Sequence, residues 1–381
     1  MNLEFQEYQT RKIINVHKHV DGPWFWGKYT AHPYVGCRSG CEFCYSRGSR
    51  YLGRRDPNTF DTLIQVKINA VELLKKELPR LPPEVISVGD WQQPAEDRYR
   101  LSRQMLEVVR EYSFPLFVVE RSPLLIRDLD LLTEINQQTW VGVLYSISTM
   151  DPMLKRVFEP RSPGVHRRLQ AMEKLALAGI TVGTSMMPIF PYVGDSETQL
   201  EELIRATKDH GGSCVLAGGL TMDGIQAERT LAAARHFDPL LEVRWRKLYH
   251  WKTGGKPSYG PPRAYNARLG LMVRELCQKY GLLDRMPRPI APGPLTTNKR
   301  IAEKLFLKTY DLELEQATDQ RIWAYRRAAW TVDELPENIE KIFETRGEAG
   351  LQELPAIGTR LAGLIARWLR DETSVKTASD T

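Results

Sequence analysis

The stretch His32–Tyr45 reads HPYVGCRSGCEFCY and places three cysteines, Cys37, Cys41 and Cys44, within eight residues. Their spacing is C-x3-C-x2-C. Three thiolates on one short loop can ligate three irons of a [4Fe–4S] cubane and leave the fourth iron open to a small chelating molecule. A glycine directly before each of the first two cysteines lets the backbone turn tightly around a bulky inorganic core. The loop therefore predicts an open iron–sulfur cluster.

A structural zinc site is the alternative for these thiols. Such sites take four ligands, commonly from two C-x2-C pairs, whereas the two other cysteines, Cys214 and Cys277, stand alone. His32 could be a fourth ligand, but it precedes the loop by an interval unusual for zinc. The odd total of five cysteines also argues against a disulfide framework. The pattern favours a cluster.

Composition bounds the domain number and the class of protein. A chain of 381 residues predicts two domains, and 42% hydrophobic residues suffice for a substantial core. The sequence has no apolar run long enough to span a membrane and no secretory leader, so we expect a cytoplasmic protein. The net charge is +6, but the part from Thr297 onward carries −2, which leaves +8 on the remainder. This mildly basic balance permits a nucleic-acid partner.

Apolar runs alternate with amphipathic stretches over the first three quarters of the chain, which predicts an α/β fold with a parallel sheet or barrel. The predicted strands are Glu84–Val88, Leu116–Glu120, Val141–Ser148, Ile180–Pro188 and Ser213–Leu220. The predicted helices are Thr62–Leu78, Tyr99–Tyr112, Leu125–Ile135, Val165–Ala178 and Glu197–Lys208. The Pro- and Gly-rich segment Met286–Thr297 predicts a linker. We therefore divide the chain into a barrel domain with an N-terminal extension (1–296), an all-helical domain (297–372) and a flexible polar tail (373–381).

The cluster loop resembles the motif of the radical S-adenosylmethionine (SAM) superfamily, C-x3-C-x-aromatic-C, with Phe43 at the aromatic position. Further segments resemble its spore photoproduct lyase-like branch, and they are VGDWQQPAE (88–96), ERSPLLIRDLD (120–130), YSISTMD (145–151) and FEPRSP (158–163). The resemblance implies an incomplete (β/α)6 barrel that holds a [4Fe–4S] cluster on the three cysteines and SAM at the C-terminal ends of the strands. It also implies that Phe43 packs on adenine and that a reductant such as flavodoxin or ferredoxin delivers the electron.

Five further residues are candidates for binding SAM. Gly89 would let the backbone approach the methionine end, and Asp90 could bind its amino group or simply cap the next helix. Ser146 and Ser148 alternate along one strand and so share a face, where they contact SAM or pack within the barrel. Arg161 could pair with the carboxylate.

The sequence departs from the lyase branch at the hydrogen donor. Spore photoproduct lyase uses a cysteine shortly after the strand that here leads into Trp91, but this chain has no cysteine between Cys44 and Cys214. The lyase reaction itself is therefore not predicted. Tyr145, Cys214 or solvent could donate hydrogen instead, although the apolar neighbours of Cys214 favour a buried thiol with a packing role.

The C-terminal stretch GLQELPAIGTRLAGLIARWL (350–369) predicts a short hairpin followed by a helix whose free N–H groups can hold a phosphate. It resembles a helix-hairpin-helix, and the segments upstream (IAEK, 301–304; WAYRRAAW, 323–330; ELPENI, 334–339) resemble the small N-terminal helical domain of family X DNA polymerases. Ile357, Gly358 and Arg360 are the candidate phosphate-binding residues. The usual first hairpin glycine is Ala356, and Leu364 stands where some relatives carry a lyase lysine. The net charge of −2 favours the alternative of a protein-interaction domain.

Two further stretches are basic. Arg244–Lys256 interleaves cations with rings, so that Arg244 and Arg246 could bind phosphate while aromatic side chains stack on bases; the alternative is a half-buried strand whose aromatic residues serve the core. Arg50, Arg54 and Arg55 predict a charged, solvated loop.

The function that fits these patterns is a radical SAM enzyme that cleaves SAM reductively to a 5′-deoxyadenosyl radical and acts on DNA, in repair or modification. A duplex base would have to be unstacked to reach the site. One alternative is a nucleic-acid-binding iron–sulfur protein with a structural or redox-sensing cluster. The other is a radical SAM enzyme that acts on RNA, protein or a small molecule.

Overall fold

The computed structural model describes residues 3–22, 24–252 and 254–379, with side chains described as far as Asp371. The chain forms two compact units, one of Met1–Lys18 and Gly27–Pro287, the other of His19–Trp26 and Arg288–Thr381. No helix among the described residues is both long and apolar enough to cross a membrane.

The first unit is built on a seven-stranded sheet. Ten strands are described: β1 Glu4–Tyr8, β2 Ile14–Val16, β3 Tyr29–Ala31, β4 Tyr34–Val35, β5 Leu63–Lys67, β6 Ile86–Gly89, β7 Leu116–Glu120, β8 Val141–Ser146, β9 Thr181–Ile189 and β10 Cys214–Gly219. The large sheet runs in the order β10-β9-β8-β7-β6-β3-β2. Its six strands from β10 to β3 are parallel, and β2 pairs antiparallel with β3. This open, six-stranded parallel arrangement confirms the predicted α/β fold with an incomplete barrel.

Helices follow the strands in alternation. Those of the first unit are α1 Ser49–Leu52, α2 Ala70–Glu77, α3 Glu96–Tyr99, α4 Leu101–Glu111, α5 Leu129–Gln138, α6 Pro152–Phe158, α7 Val165–Leu177, α8 Glu197–Asp209, α9 Gly224–Phe237, α10 Pro239–Leu248 and α11 Arg263–Lys279. Alternate residues of each strand enter one large apolar core with the helices; on β8 these are Val141, Val143 and Tyr145. The opposite residues, such as Ser146, therefore face the inside of the barrel.

The predicted helix over Thr62–Leu78 was wrong in its first half. Residues Leu63–Lys67 form β5, which pairs parallel with β1 and antiparallel with β4 in a separate three-stranded sheet. Buried Ile64 and Val66 alternate with half-buried neighbours, as expected of a strand with one covered face. Only the second half, from Ala70, is helical.

The second unit is helical and contains α12 Thr296–Leu314, α13 Asp319–Asp333, α14 Ile339–Gln352 and α15 Thr359–Ser379. It includes the His19–Trp26 segment: Trp330 Nε1 donates to the Val20 carbonyl at 3.0 Å, and His19 stacks on the Trp330 ring at 4.3 Å. The rest of the unit begins at Arg288, eight residues before the start of α12. Of the predicted tail, residues up to Ser379 continue α15, and 380–381 lie outside the described residues.

Candidate functional site

The cysteine loop lies beside the C-terminal ends of the barrel strands. Gly36 and Gly40 take positive φ values of 104° and 59°, and the Cys44 and Gly40 amides donate to the carbonyls of Cys41 and Cys37, each at 3.3 Å. These tight turns are those expected from the glycines. Cys37 and Cys41 are buried and Cys44 is half-buried, and none of the three is in a disulfide.

Two groups of contacts fix the loop. The side-chain Nε2 of Gln93 donates to the backbone carbonyls of Gly36 and Asp90, both at 2.9 Å. These two bonds tie the loop to the turn after β6. On the other side, Glu42 pairs with Arg229 of α9 at 2.8 Å, and the Thr230 hydroxyl donates to the Glu42 carbonyl at 3.2 Å. The sequence analysis missed Gln93, although the turn that contains it follows a predicted strand.

The thiols are in an environment that disfavours free thiolates. Burial raises the pKa of Cys41 to about 12, and burial followed by the charge of Asp90 raises the pKa of both Cys37 and Cys44. A bound metal reverses this preference because it deprotonates a coordinating thiol. Among the described residues, no group of three or more His, Cys, Asp or Glu side chains is arranged to hold a single metal ion.

The turn after β6 brings Asp90 to the cluster loop. Asp90 has φ 56°, and its Oδ1 accepts a hydrogen bond from the Cys37 thiol at 3.4 Å. The residue does not cap α3, whose N-cap is Ala95. Gly89 is required by packing, since a Cβ there would lie 2.8 Å from the Val119 carbonyl oxygen of the neighbouring strand. The turn thus presents a carboxylate next to the thiols.

Ser146 and Ser148 lie at the C-terminal end of β8, on the side away from the helices. Both are buried, and the Ser146 carbonyl accepts from Arg168 Nη1 at 2.6 Å. Tyr145 faces the other way, into the core shared with the helices. Cys214 is fully buried, with its Sγ 3.5 Å from the Met286 sulfur, as predicted for a packing role.

Arg161 contacts residues of the cysteine loop and the segment that follows it. It pairs with the Asp61 carboxylate, and its Nε donates to the Arg38 carbonyl at 3.3 Å. A Cβ on Gly40 would collide with the Arg161 guanidinium, so this side chain packs on the outside of the cysteine loop. Asp61 is shared with Arg47, whose Nη2 lies 3.2 Å from the same carboxylate, and the role of Arg161 in SAM binding stays a prediction.

Arg121, which the sequence did not single out, is a cation close to the thiols. It directly follows β7, pairs with Glu159 at 2.7 Å and lies 5.4 Å from the centre of the Phe43 ring. Its charge opposes the effect of burial on the pKa of Cys41. Ligands of open parallel sheets bind outside the carboxyl ends of the strands, and this rule applied to the residue after Leu116–Glu120 could have found it.

Glu159 holds this cation in place. Burial alone would raise its pKa, but Arg121 and Arg168 reverse that effect and hold the pKa of the carboxyl well below its usual range. Arg168 Nη2 donates to Glu159 at 2.7 Å. A carboxylate that stays ionised between two guanidinium groups fixes the direction of the Arg121 side chain.

Phe43 is buried in an aromatic cluster below the loop. Its ring meets that of Phe190 edge to face at a centroid distance of 5.4 Å, and Phe190 stacks on Trp245 at 6.4 Å. Trp245 belongs to α10, so Arg244–Leu248 is a helix and the alternative of a half-buried strand was wrong. Arg244 is exposed and lies over the Tyr192 ring at 5.9 Å. Arg246 pairs with Glu242 at 2.9 Å.

The C-terminal hairpin joins α14 to α15. The Ile357 amide donates to the Leu354 carbonyl at 3.1 Å, and Ala356 takes a positive φ of 60°, the conformation that glycine adopts most readily. Gly358 and Arg360 are exposed, whereas the Ile357 side chain is buried. Ile357 can therefore offer only its backbone to a ligand.

Comparisons with known proteins place the chain in a family. Residues 32–205 match the model of the radical SAM superfamily. An uncharacterized protein of Mycobacterium tuberculosis (strain H37Rv) is 31% identical over 269 residues, which cover 69% of this chain and 77% of the relative. An uncharacterized protein of Methanocaldococcus jannaschii is 27% identical over 196 residues, covering 51% of this chain and 71% of the relative.

Solved structures show the same fold. Spore photoproduct lyase complexed with dinucleoside spore photoproduct aligns with a TM-score of 0.54 and 18% identity, over 74% of this chain and 81% of that one. A mutant of the same lyase with bound AdoMet and dinucleoside spore photoproduct aligns with a TM-score of 0.54, 18% identity and the same coverage. The chain therefore belongs to the radical SAM superfamily, whose members use a [4Fe–4S] cluster and SAM and need a reductant.

Proposed function

We propose that the chain holds its [4Fe–4S] cluster on Cys37, Cys41 and Cys44, binds SAM at the ends of β6, β7 and β8, and acts on DNA. The observation that carries the proposal is the set of two buried thiols and one half-buried thiol on a loop turned by two glycines, with the Asp90 carboxylate and the Arg121 guanidinium beside it. Three thiolates suit a cubane with one open iron.

The positions of the side chains support a binding role for each of them. Asp90 is placed to accept hydrogen bonds from the amino group of SAM, and Arg121 to pair with its carboxylate. Ser146 and Ser148, on the inner side of the sheet, are placed for the ribose. Phe43 offers a ring edge to adenine.

The cluster, when bound, supplies the electron that breaks a C–S bond of SAM and yields the 5′-deoxyadenosyl radical. The protein's part is to hold SAM and the target atom in register and to keep water out. Arg121, fixed by Glu159, orients the carboxylate. The ring cluster of Phe43, Phe190 and Trp245 forms an apolar wall that supports the loop from below.

Three observations support DNA as the substrate. Solved structures of this fold contain a dinucleoside photoproduct. The part of the chain before Thr297 carries a net charge of +8, which favours phosphate. Exposed Arg244 and half-buried Arg246 on α10, with the exposed hairpin residues Gly358 and Arg360, offer phosphate contacts.

The cofactor assignment is tested by reconstituting the full-length protein, reducing it in the presence of SAM and measuring 5′-deoxyadenosine. We expect product from the wild type and from Cys277→Ala, which removes a buried thiol outside the loop. Cys41→Ala should form none. If the wild type forms no more than Cys41→Ala, the cluster is structural or redox-sensing and the enzyme proposal fails.

The role of the hairpin is tested by measuring binding of a labelled DNA duplex by fluorescence anisotropy. Arg360→Ala should weaken binding about three- to tenfold and reduce its salt dependence, because one phosphate contact is lost. Arg321→Ala removes an exposed charge from α13 of the same unit and should bind like the wild type. Equal affinity of both variants would leave the helical unit without a DNA-binding role.

A further inference from the structure

Two half-buried cations near the cysteine loop have no carboxylate partner among the described residues. Lys67 of β5 donates from Nζ to the His32 carbonyl at 2.7 Å, and burial lowers its pKa to about 8. Both terminal nitrogens of Arg55 are buried and lack a hydrogen-bond partner. Burial also lowers the pKa of Arg55. The predicted solvated loop is thus wrong at Arg55.

These two cations flank the same face of the small sheet. Tyr8 of β1 is the register partner of Lys67, so their side chains share a face. Burial raises the pKa of Tyr8, and the nearby charge of Arg55 lowers it in part. The other face of the sheet is apolar, with Ile64 and Val66. The opposite face carries Lys67 and Tyr8 at one end, and Arg55 lies close enough to Tyr8 for its charge to act on it.

Further basic groups connect this face to the cofactor site. Burial and then the charge of Lys67 lower the pKa of His32, while Asp90 acts in the opposite direction. The His32 Nδ1 lies 3.3 Å from the Gly89 carbonyl oxygen, at the turn that carries Asp90. His17 lies close enough to His32 for its charge to lower the pKa of His32 as well. Lys67, His32 and His17 thus connect the sheet face to the proposed methionine site, the two histidines as neutral imidazoles above pH 7.

Such an arrangement is costly without an anion. Removing a cation from water costs several kcal/mol unless an opposite charge or several hydrogen bonds compensate. Lys67 has one neutral carbonyl, and the terminal nitrogens of Arg55 have no partner among the described residues. A ligand with negatively charged oxygens would satisfy both.

We propose that Arg55, Lys67 and the adjoining His32 and His17 form a binding site for a phosphate group of the substrate. The inference rests on the proposed function, since the phosphate belongs to the nucleic-acid strand whose target nucleotide lies at SAM. The site is contiguous with the turn of Gly89 and Asp90, so one strand can occupy both.

The test measures binding of a fluorescein-labelled single-stranded DNA 12-mer to the reconstituted full-length protein by anisotropy at several salt concentrations. Lys67→Met and Arg55→Met should each weaken binding about tenfold and lower the salt slope by about one. Lys67→Arg, which keeps the charge, should bind like the wild type. The matched control is Arg54→Met, which removes a neighbouring exposed charge and should change affinity little.

Melting temperature separates a ligand site from a structural role. Lys67→Met should melt at or above the wild-type temperature, because an uncompensated buried charge has been removed. A lysine that stabilises the fold would give a lower melting temperature, and this result together with unchanged DNA affinity would overturn the proposal.

Two further arms identify the source of the phosphate. A methylphosphonate 12-mer, whose backbone is neutral, should bind wild type and Lys67→Met equally weakly. If a mononucleotide or inorganic phosphate competes as tightly as the 12-mer binds, the site serves a small phosphorylated molecule and the nucleic-acid assignment fails. Formation of 5′-deoxyadenosine by the wild type is measured separately, so a failure of the phosphate site is distinguishable from a failure of the radical chemistry.

Discussion

At the scale of single residues, Arg121 connects the aromatic cluster to the thiols. Its guanidinium bonds to Glu159 at 2.7 Å and lies over the Phe43 ring. A charge-assisted pair with a carboxylate in a partly buried site contributes more than an exposed ion pair does. The SAM carboxylate would therefore have a strong partner at a fixed position.

Replacement of Arg121 should weaken SAM binding selectively. Arg121→Met is expected to raise the Kd for SAM about 10- to 100-fold, the range for loss of a hydrogen bond to a charged group. Arg121→Lys keeps the charge but loses the paired donors of the guanidinium. Its Kd for SAM should therefore lie between those of the wild type and Arg121→Met. Equilibrium binding of SAM to the reconstituted protein measures this. Arg156→Met, on the exposed face of α6, is the control; an effect of equal size there would mean that only net charge matters.

Lys67 should make DNA binding depend on pH. Its pKa of about 8 means that the ammonium loses its proton as the pH rises through 8, so affinity for phosphate should fall between pH 7 and pH 9.5. The other groups around it do not titrate in this window: the pKa of His32 and His17 is lowered below 6.5, and that of Tyr8 is raised above 10. Asp90 also faces His32, and its charge opposes the effect of burial on the pKa of that histidine.

Lys67→Arg is the matched variant for this prediction, because a guanidinium stays protonated over the whole window. The affinity of this variant for the 12-mer should stay constant from pH 7 to pH 9.5. A wild-type profile as flat as that of Lys67→Arg would contradict the assignment.

At the scale of elements, α10 shows how a helix can be mistaken for a strand. Aromatic and basic residues from Arg244 onward suggest a pleated surface, since rings are frequent in strands. However, the fully buried residues Leu241, Trp245 and Tyr249 are four apart, which is the helical period. Asp238 caps the helix through the Leu240 amide, followed by a proline at the first position.

Trp245 of α10 supports the cysteine loop through the ring cluster. Trp245→Ala should lower the free energy of unfolding by about 3–5 kcal/mol, because it opens a large cavity against Phe158 and Phe190 and leaves the Pro191 carbonyl without its donor. Val243→Ala, at an exposed position of the same helix, should change it by less than about 0.5 kcal/mol. Urea denaturation of both variants checks this; similar losses would mean that helix propensity, not packing, is responsible.

The parts of the fold that the sequence predicts are those fixed by local pattern. The strand Leu116–Glu120 has the predicted bounds, because a continuous apolar run in a parallel sheet is buried on both faces. The strand β5 was missed because its partner β1 lies more than fifty residues earlier, and no local signal records that pairing. Likewise, Arg121 and Arg161 both follow predicted strands, and only the fold reveals that Arg161 has Asp61 as its partner.

At the scale of the whole molecule, the helical unit takes in the loop of an N-terminal hairpin. Strands β2 and β3 pair antiparallel, and the His17 amide donates to the Lys28 carbonyl at 3.0 Å, so the chain leaves and re-enters the first unit at neighbouring points. The loop between them, His19–Trp26, packs with the helices: the Trp26 and Phe306 rings meet at 5.7 Å. A cut at a linker alone therefore does not separate the two units cleanly.

Truncation experiments should reflect this. A protein that ends at Pro287 keeps the aromatic loop without its helices and should aggregate, because Trp26 is almost fully buried in the intact chain. The same truncation with His19–Trp26 replaced by Asn-Gly, a sequence suited to a tight hairpin turn, should stay monomeric. Size-exclusion chromatography measures both; equal aggregation of the two proteins would contradict the assignment of the loop to the helical unit.

The split of the helical unit also has a consequence for synthesis. Its first piece, the His19–Trp26 loop, leaves the ribosome about 270 residues before α12 is translated. At about 5–20 residues per second, the interval is on the order of 15–55 s. The barrel can begin to fold within that time, whereas the helical unit must wait until α12 to α15 are translated. Nascent chains of this protein therefore carry an aromatic loop without its packing partners until those helices are made.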